Sequence, residues 1–205
     1  MRQSYRLLSQ IMRAAVENDL FAVSPCRGIR LPRMPRTQPH ILTEQEVDAL
    51  VAVSRPPHDL LVMVLAYGGL RINEALALRR VSVDVSGGAI RITESLVEIA
   101  GRLSFDTPKN HQHRSVTLPP FVIDRLVEHL ASVPDGRREL LFRTARSGQP
   151  VQYGAWRSTY FDPAVRAAGL GAARHTTCGQ ATQPGWPRGT ASWPPRPGSA
   201  MLTPV

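Results

Sequence analysis

The chain has one lysine in 205 residues, only two cysteines and no long apolar run. Each scarcity excludes something. Cys26 and Cys178 lack CxxC spacing and metal-ligating neighbours, which argues against a disulfide framework and a zinc site. No stretch supplies the roughly 20 apolar residues of a membrane span, and the amino terminus has no signal-peptide apolar segment. The expected setting is the bacterial cytoplasm.

Acidic residues are also in short supply. There are 25 basic residues against 16 acidic ones, a net charge of +9. This balance favours a polyanionic partner, nucleic acid first and an anionic membrane second. The basic residues are 24 arginines and Lys109. A GC-rich genome would favour arginine codons, and arginine also makes planar bidentate contacts with phosphate. No RNA-binding motif or basic amphipathic helix supports an RNA or membrane-surface role. The length and the 42% hydrophobic fraction suit one good domain, with a fragment of a second.

Residues 2–19 carry Leu7, Leu8, Ile11, Met12, Ala15 and Val16 at helical spacing. A lone amphipathic helix does not stabilise itself, so it reads as the last helix of a truncated amino-terminal domain. Residues 24–40 form a proline-broken linker in which Arg27, Arg30, Arg33 and Arg36 recur every third residue. In an extended conformation with about three residues per turn they would line one edge, as a strap along a phosphate backbone or as a solvated linker.

A domain starts near Ile41. Thr43-Glu44-Gln45-Glu46 is a capping box that opens a helix through about Val53. Asp59–Tyr67 reads as a buried helix, Gly68-Gly69 as its end, and Ile72–Arg79 as a third helix. A β region follows: Val81–Val85, Ala89–Thr93, Leu96–Ile99, a further pair around Lys109, and Arg114–Leu118. Pro119-Pro120 opens a helix over Phe121–Ser132, and another runs from near Tyr153 to Ala168. From Gly171 onward there is no aspartate, glutamate or lysine, but six prolines and five glycines, a composition that predicts disorder. The expected fold is mainly α with a small antiparallel β-sheet.

Arg71 stands out, placed between a glycine pair and a short apolar helix. The stretches AYGGLRINEALAL (66–78), SLVEIAGRLSFDTPKNHQHRSVTLP (95–119) and YGAWRSTYFDPAVRAAGL (153–170) resemble the catalytic domain of tyrosine recombinases, the phage integrase family. The family's first arginine matches Arg71 and its following glutamate matches Glu74. Its hairpin lysine, in Thr-Pro-Lys before a basic strand, matches Lys109, the chain's only lysine. The resemblance covers about residues 1–170. It implies the family's fold, double-stranded DNA as partner, other protomers on that DNA, and no metal or cofactor.

The chemistry it implies is attack of a tyrosine on a DNA phosphate. Two arginines then clamp the transition-state oxygens, and a lysine protonates the leaving 5′-oxygen. On this reading Arg71 and Lys109 are catalytic, and Arg27, Arg30, Arg33, Arg36 and Arg114 bind DNA. Taken alone, Arg71 could instead form a surface salt bridge, and Lys109, His111 and His113 could be solvated turn residues. Tyr153 and Tyr160 could be core or surface aromatics.

The pattern breaks after Leu170. The family expects His-x-x-Arg, then Leu-Gly-His, then the tyrosine. Here Gly171-Ala172-Ala173-Arg174-His175 follows, and Arg174 could stand for the second arginine. Read two bases later, the codons across Arg174–Gly179 permit Ala-His-Asp-Leu-Arg, and those across Pro197–Leu202 permit Arg-Leu-Gly-His-Ala. The expectation is a frameshift close to Ala173 with an out-of-frame tail, which leaves the second arginine, the histidines and the nucleophile missing. That would make the chain an inactive integrase. The alternatives are a DNA-occupying or oligomer-poisoning regulator of an intact integrase, an enzyme using Tyr153 or Tyr160, and a non-functional pseudogene product.

Overall fold

The computed structural model describes residues 2–29, 31, 41–108 and 113–171. The chain divides into two units, Met1–Gln38 and Pro39–Val205. In the first, helix α1 (Arg2–Glu17) forms where the apolar spacing predicts it. The Tyr5 hydroxyl donates to the Cys26 carbonyl at 2.8 Å, tying α1 to the chain that follows. Leu7, Leu8 and Ile11 on α1 are exposed.

The extended arginine strap is corrected at its first member. Residues 25–28 turn, with Gly28 at φ 79°, so Arg27 sits in a bend and not on an extended edge. The Arg27 N–H donates to the Ser24 carbonyl at 3.1 Å, a local bond that an extended chain does not make. Arg30, Arg33 and Arg36 lie outside the described residues.

The second unit opens on the predicted capping box. Thr43 N donates to Glu46 Oε2 at 2.8 Å and Glu46 N donates to Thr43 Oγ1 at 3.3 Å, which starts helix α2 (Glu44–Val53). Helix α3 (His58–Gly68) is buried from Asp59 through Gly68, so it is the axis of the core and not a surface helix. Its one buried charge, Asp59, is held by Arg125, whose Nη2 lies 2.8 Å from Oδ2.

The glycine pair ends α3 for two different reasons. Gly69 takes φ 61° and donates its N–H to Leu65 O at 3.2 Å, a left-handed cap that L side chains resist. At Gly68 the constraint is space: a Cβ there would lie 2.6 Å from Leu70 Cδ1 and 3.2 Å from Leu118 Cδ2. Helix α4 (Ile72–Leu76) follows and is shorter than the sequence predicts. Arg79 has left it to bridge Leu140, while its guanidinium binds Glu94 Oε2 at 2.6 Å and Arg138 O at 2.6 Å.

The β region divides into two sheets where one extended element was expected. Strands β1 (Val83–Asp84), β2 (Ala89–Ile92) and β5 (Arg114–Thr117) form one antiparallel sheet in the order β1-β2-β5. Strands β3 (Ser95–Ile99) and β4 (Arg102–Asp106) form a separate hairpin. The expected start at Val81 is a short 3-10 turn, Arg80–Ser82. Lys109 therefore falls on the connection between two sheets, because β4 pairs with β3 and β5 with β2. Lys109 itself lies outside the described residues.

Helix α5 (Pro120–Leu130) starts on its proline, whose missing N–H costs nothing in a first turn. The segment 133–151, which has no clear periodicity, sends Val133, Leu141, Phe142 and Val151 into the core. Helices α6 (Tyr153–Trp156) and α7 (Asp162–Ala167) are joined by a wide π-helical turn, Arg157–Phe161, where one regular helix was expected. Pro163 has no N–H to donate back to Thr159, so the regular ladder fails one turn earlier.

Two substitutions separate the cap from the core. Leu61 has 0% exposure, and Leu61→Ala is expected to lower the unfolding free energy of the full chain by about 2–5 kcal/mol. Gly69→Ala is expected to cost about 1–2 kcal/mol, the strain of a left-handed alanine. Urea unfolding measures both, with an unchanged slope expected in each case.

Candidate functional site

Glu74 is the second residue to explain, because it is a carboxylate within an apolar helix. Its side chain is 1% exposed. An ion so buried costs several kcal/mol in effective desolvation unless its lone pairs are matched. Here all four acceptor positions are used. Oε2 accepts from the Arg71 backbone N at 2.9 Å and from Arg114 Nη2 at 2.6 Å. Oε1 accepts from Arg71 Nη1 at 3.0 Å and from Arg114 Nη1 at 3.1 Å.

Local and distant features together place these groups. Arg71 and Glu74 are one helical turn apart at the start of α4, so the carboxylate can reach back to the Arg71 N–H. Arg114 arrives from β5, 40 residues away in sequence. Its face is set by strand register, in which Arg114 stands opposite Ile92 and Val116 opposite Ile90. A slip of one residue would turn Arg114 to the opposite face.

The electrostatics are unequal by design of the burial. Burial pushes the Glu74 carboxyl up, but hydrogen bonds from Arg114 and from the backbone and side chain of Arg71 outweigh it and hold the group below the usual carboxylate range. Both arginine side chains remain partly in solvent, with exposures of 56% for Arg71 and 37% for Arg114. Two positive groups and one negative group leave one positive charge at the surface. The remaining N–H groups of both arginines have no partner among the described residues.

The two tyrosines are placed differently. Tyr160 lies against His58 with ring centroids 3.7 Å apart. They line a cavity of about 400 Å³, together with Val53, Val62, Trp156 and Ala164, to which Arg71, Glu74 and Arg114 do not contribute. Burial pushes the His58 imidazole pKa down, against the pull of Asp59. Tyr153 is half-buried and packs against the core. Its helix α6 packs against α4, whereas Tyr160 lines the cavity apart from the Arg71 cluster. Among the described residues, no group of three or more His, Cys, Asp and Glu gathers as metal ligands. Among them, too, no helix is long and apolar enough to cross a membrane.

Comparison with known proteins decides what this cluster belongs to. No family model matches the chain. It is 30% identical over 144 residues to a putative prophage phiRv2 integrase of Mycobacterium tuberculosis, spanning 68% of this chain and 38% of that protein. It is 27% identical over 161 residues to the integrase of Mycobacterium phage D29, spanning 76% and 42%. The tyrosine recombinase XerA of Thermococcus kodakarensis is 31% identical over 121 residues, spanning 58% and 38%.

The chain belongs to the tyrosine recombinase, or phage integrase, family. It spans about two fifths of the length of the relatives it matches. The fold agrees. A structure of the Tn1549 transposon integrase in complex with circular intermediate DNA superposes with a TM-score of 0.74 at 16% identity, covering 88% of this chain and 64% of that one. A crystal structure of XerA recombinase gives 0.55 at 19% identity, covering 89% and 61%.

In this tyrosine recombinase chain, sequence reasoning located Arg71 and Arg114 but not their meeting. The resemblance matches Glu74 to the family glutamate and assigns it no role. The signal was present in its placement: a carboxylate three residues after an arginine, on the buried side of an apolar helix. Nothing in the sequence names a distant partner such as Arg114.

Glu74→Gln is expected to destabilise the full chain by about 2–3 kcal/mol at neutral pH, the scale of charge-assisted bonds lost. Its pH dependence has a definite sign. The folded pKa of Glu74 lies below the ordinary 4.5, so its contribution is complete above that value and is lost as pH falls through the folded one. Denaturation curves between about pH 5 and about pH 3 should therefore fall more steeply for the parent chain than for Glu74→Gln.

Proposed function

We propose that this chain grips double-stranded DNA as part of an integrase, with Arg71 on a backbone phosphate, and that it does not complete strand exchange. The observation that carries the reading is the buried Glu74 carboxylate. It holds two partly exposed arginine side chains with one positive charge to spare, in a chain of the integrase family. The net charge of +9 supports it, since backbone affinity for DNA is electrostatic first. The Tn1549 integrase, whose fold this chain shares, was captured on DNA.

On this reading Arg71 and Lys109 hold the positions that, in a chain with the nucleophile, would stabilise transition-state charge and protonate the leaving 5′-oxygen. Arg27, Arg30, Arg33, Arg36 and Arg114 add backbone contacts. The tail from Arg174 is out-of-frame sequence and supplies neither the downstream arginine nor the nucleophile. Tyr160, set against His58 and away from Arg71, does not substitute for it. Partners on the DNA are other protomers, of this chain or of an intact integrase, and the compartment is the cytoplasm.

Fluorescence anisotropy with a labelled duplex tests the grip. Affinity should fall at least about tenfold between 50 and 200 mM salt, the loss for about two neutralised phosphates. Arg71→Ala should reduce the slope of log affinity against log salt by about 0.9, one phosphate. A nicked suicide duplex tests the chemistry: no covalent protein–DNA adduct is expected. An adduct abolished by Tyr153→Phe or Tyr160→Phe would overturn the inactive reading.

A further inference from the structure

We infer that Arg114 is the second guanidinium of the phosphate site, and that Arg71 and Arg114 take one phosphodiester between them. The inference rests on the reading of Arg71 as a phosphate contact. It assigns to a strand residue the place that the resemblance reserves for an arginine downstream of residue 170.

The geometry is specific. Glu74 Oε1 accepts from Nη1 of both arginines, at 3.0 and 3.1 Å, so the two nitrogens lie no further apart than the sum of those bonds. Arg114 faces the carboxylate with both Nη1 and Nη2, which fixes the plane of its guanidinium and leaves the Nε–H on another edge. Arg71 is fixed at two points, through its backbone N and through Nη1. Both side chains remain partly exposed beyond the buried carboxylate. Flexible arginines normally lose rotamer freedom when they bind an anion, and here Glu74 has already restricted them.

The charge also matches. Two guanidiniums and one carboxylate sum to +1, and a phosphodiester carries one negative charge. Nε of both arginines and Nη2 of Arg71 are not spent on Glu74, which leaves donors for the paired oxygens of a phosphate. A free arginine pair would carry +2 and repel itself, so the carboxylate makes the close pairing tolerable.

Two measurements on the full chain test this. In the first, inorganic phosphate is titrated while the side-chain Nε–H resonances of Arg71 and Arg114 are followed by NMR. Both are expected to shift with one shared binding constant. Movement of Arg71 alone, or of neither, would overturn the inference. This arm uses no DNA, so a chain that binds phosphate at both arginines but binds no duplex would sink the DNA reading and leave the shared site standing.

The second measurement is duplex affinity of Arg114→Lys, which keeps the charge and one bond to Glu74 but loses the fork. A loss of about fivefold to tenfold is expected in the parent background, and less than about twofold in an Arg71→Ala background, because contacts to one phosphate are not independent. Parent-like affinity of Arg114→Lys, or equal losses in both backgrounds, would show that Arg114 does not share the phosphate. Melting curves of Arg114→Lys must match the parent chain for this arm to be read, and the NMR arm decides the matter without any variant.

Discussion

A single buried carboxylate organises the informative half of this molecule. Glu74 has no exposure to speak of, and a bare ion in that position would not be tolerated. The requirement that its four acceptor positions be filled forces three groups together: the Arg71 backbone, the Arg71 side chain and the Arg114 fork. One consequence is mechanical, since α4 and β5 are pinned to each other. The other is electrostatic, since two cations are held side by side at the surface with the repulsion between them relieved.

The elements around this point serve the same constraint. The Gly68-Gly69 pair lets α3 stop abruptly, close to Leu70 and Leu118, so that Arg71 starts a new helix near the core. The β2–β5 register then delivers Arg114. Arg79, by leaving α4 for Glu94 and for the face of the Phe105 ring at 4.4 Å, anchors β4 on the other side of the Lys109 connection. The strands on both sides of that connection are thus tied by residues from Arg71 to Arg79.

Much of the fold was legible because its signals are local. The Thr43–Glu46 box, the apolar run of α3, the proline start of α5 and the 2–17 helix each follow from neighbours in sequence, and each formed within a residue or two of expectation. The departures come where long-range contact outweighed periodicity. Helix α4 lost its last turn when Arg79 found Glu94 and Leu140. The β region split into two sheets because β4 and β5 chose different partners. Pro163 widened a helix whose apolar spacing alone looked regular. The segment 133–151 has no period, and only packing reveals that Phe142 and Leu141 belong to the core.

The sequence by itself determined the family, through the order of the Gly-Gly-Leu-Arg turn, the lone lysine and the basic strand, since such motifs are contiguous and survive without coordinates. It also determined the charge that favours a polyanion. Tertiary structure alone decided which arginine stands beside Arg71. That pairing joins positions 43 residues apart, and it depends on strand register and on the demand of one buried carboxylate for partners. Neither of these leaves a trace in local spacing.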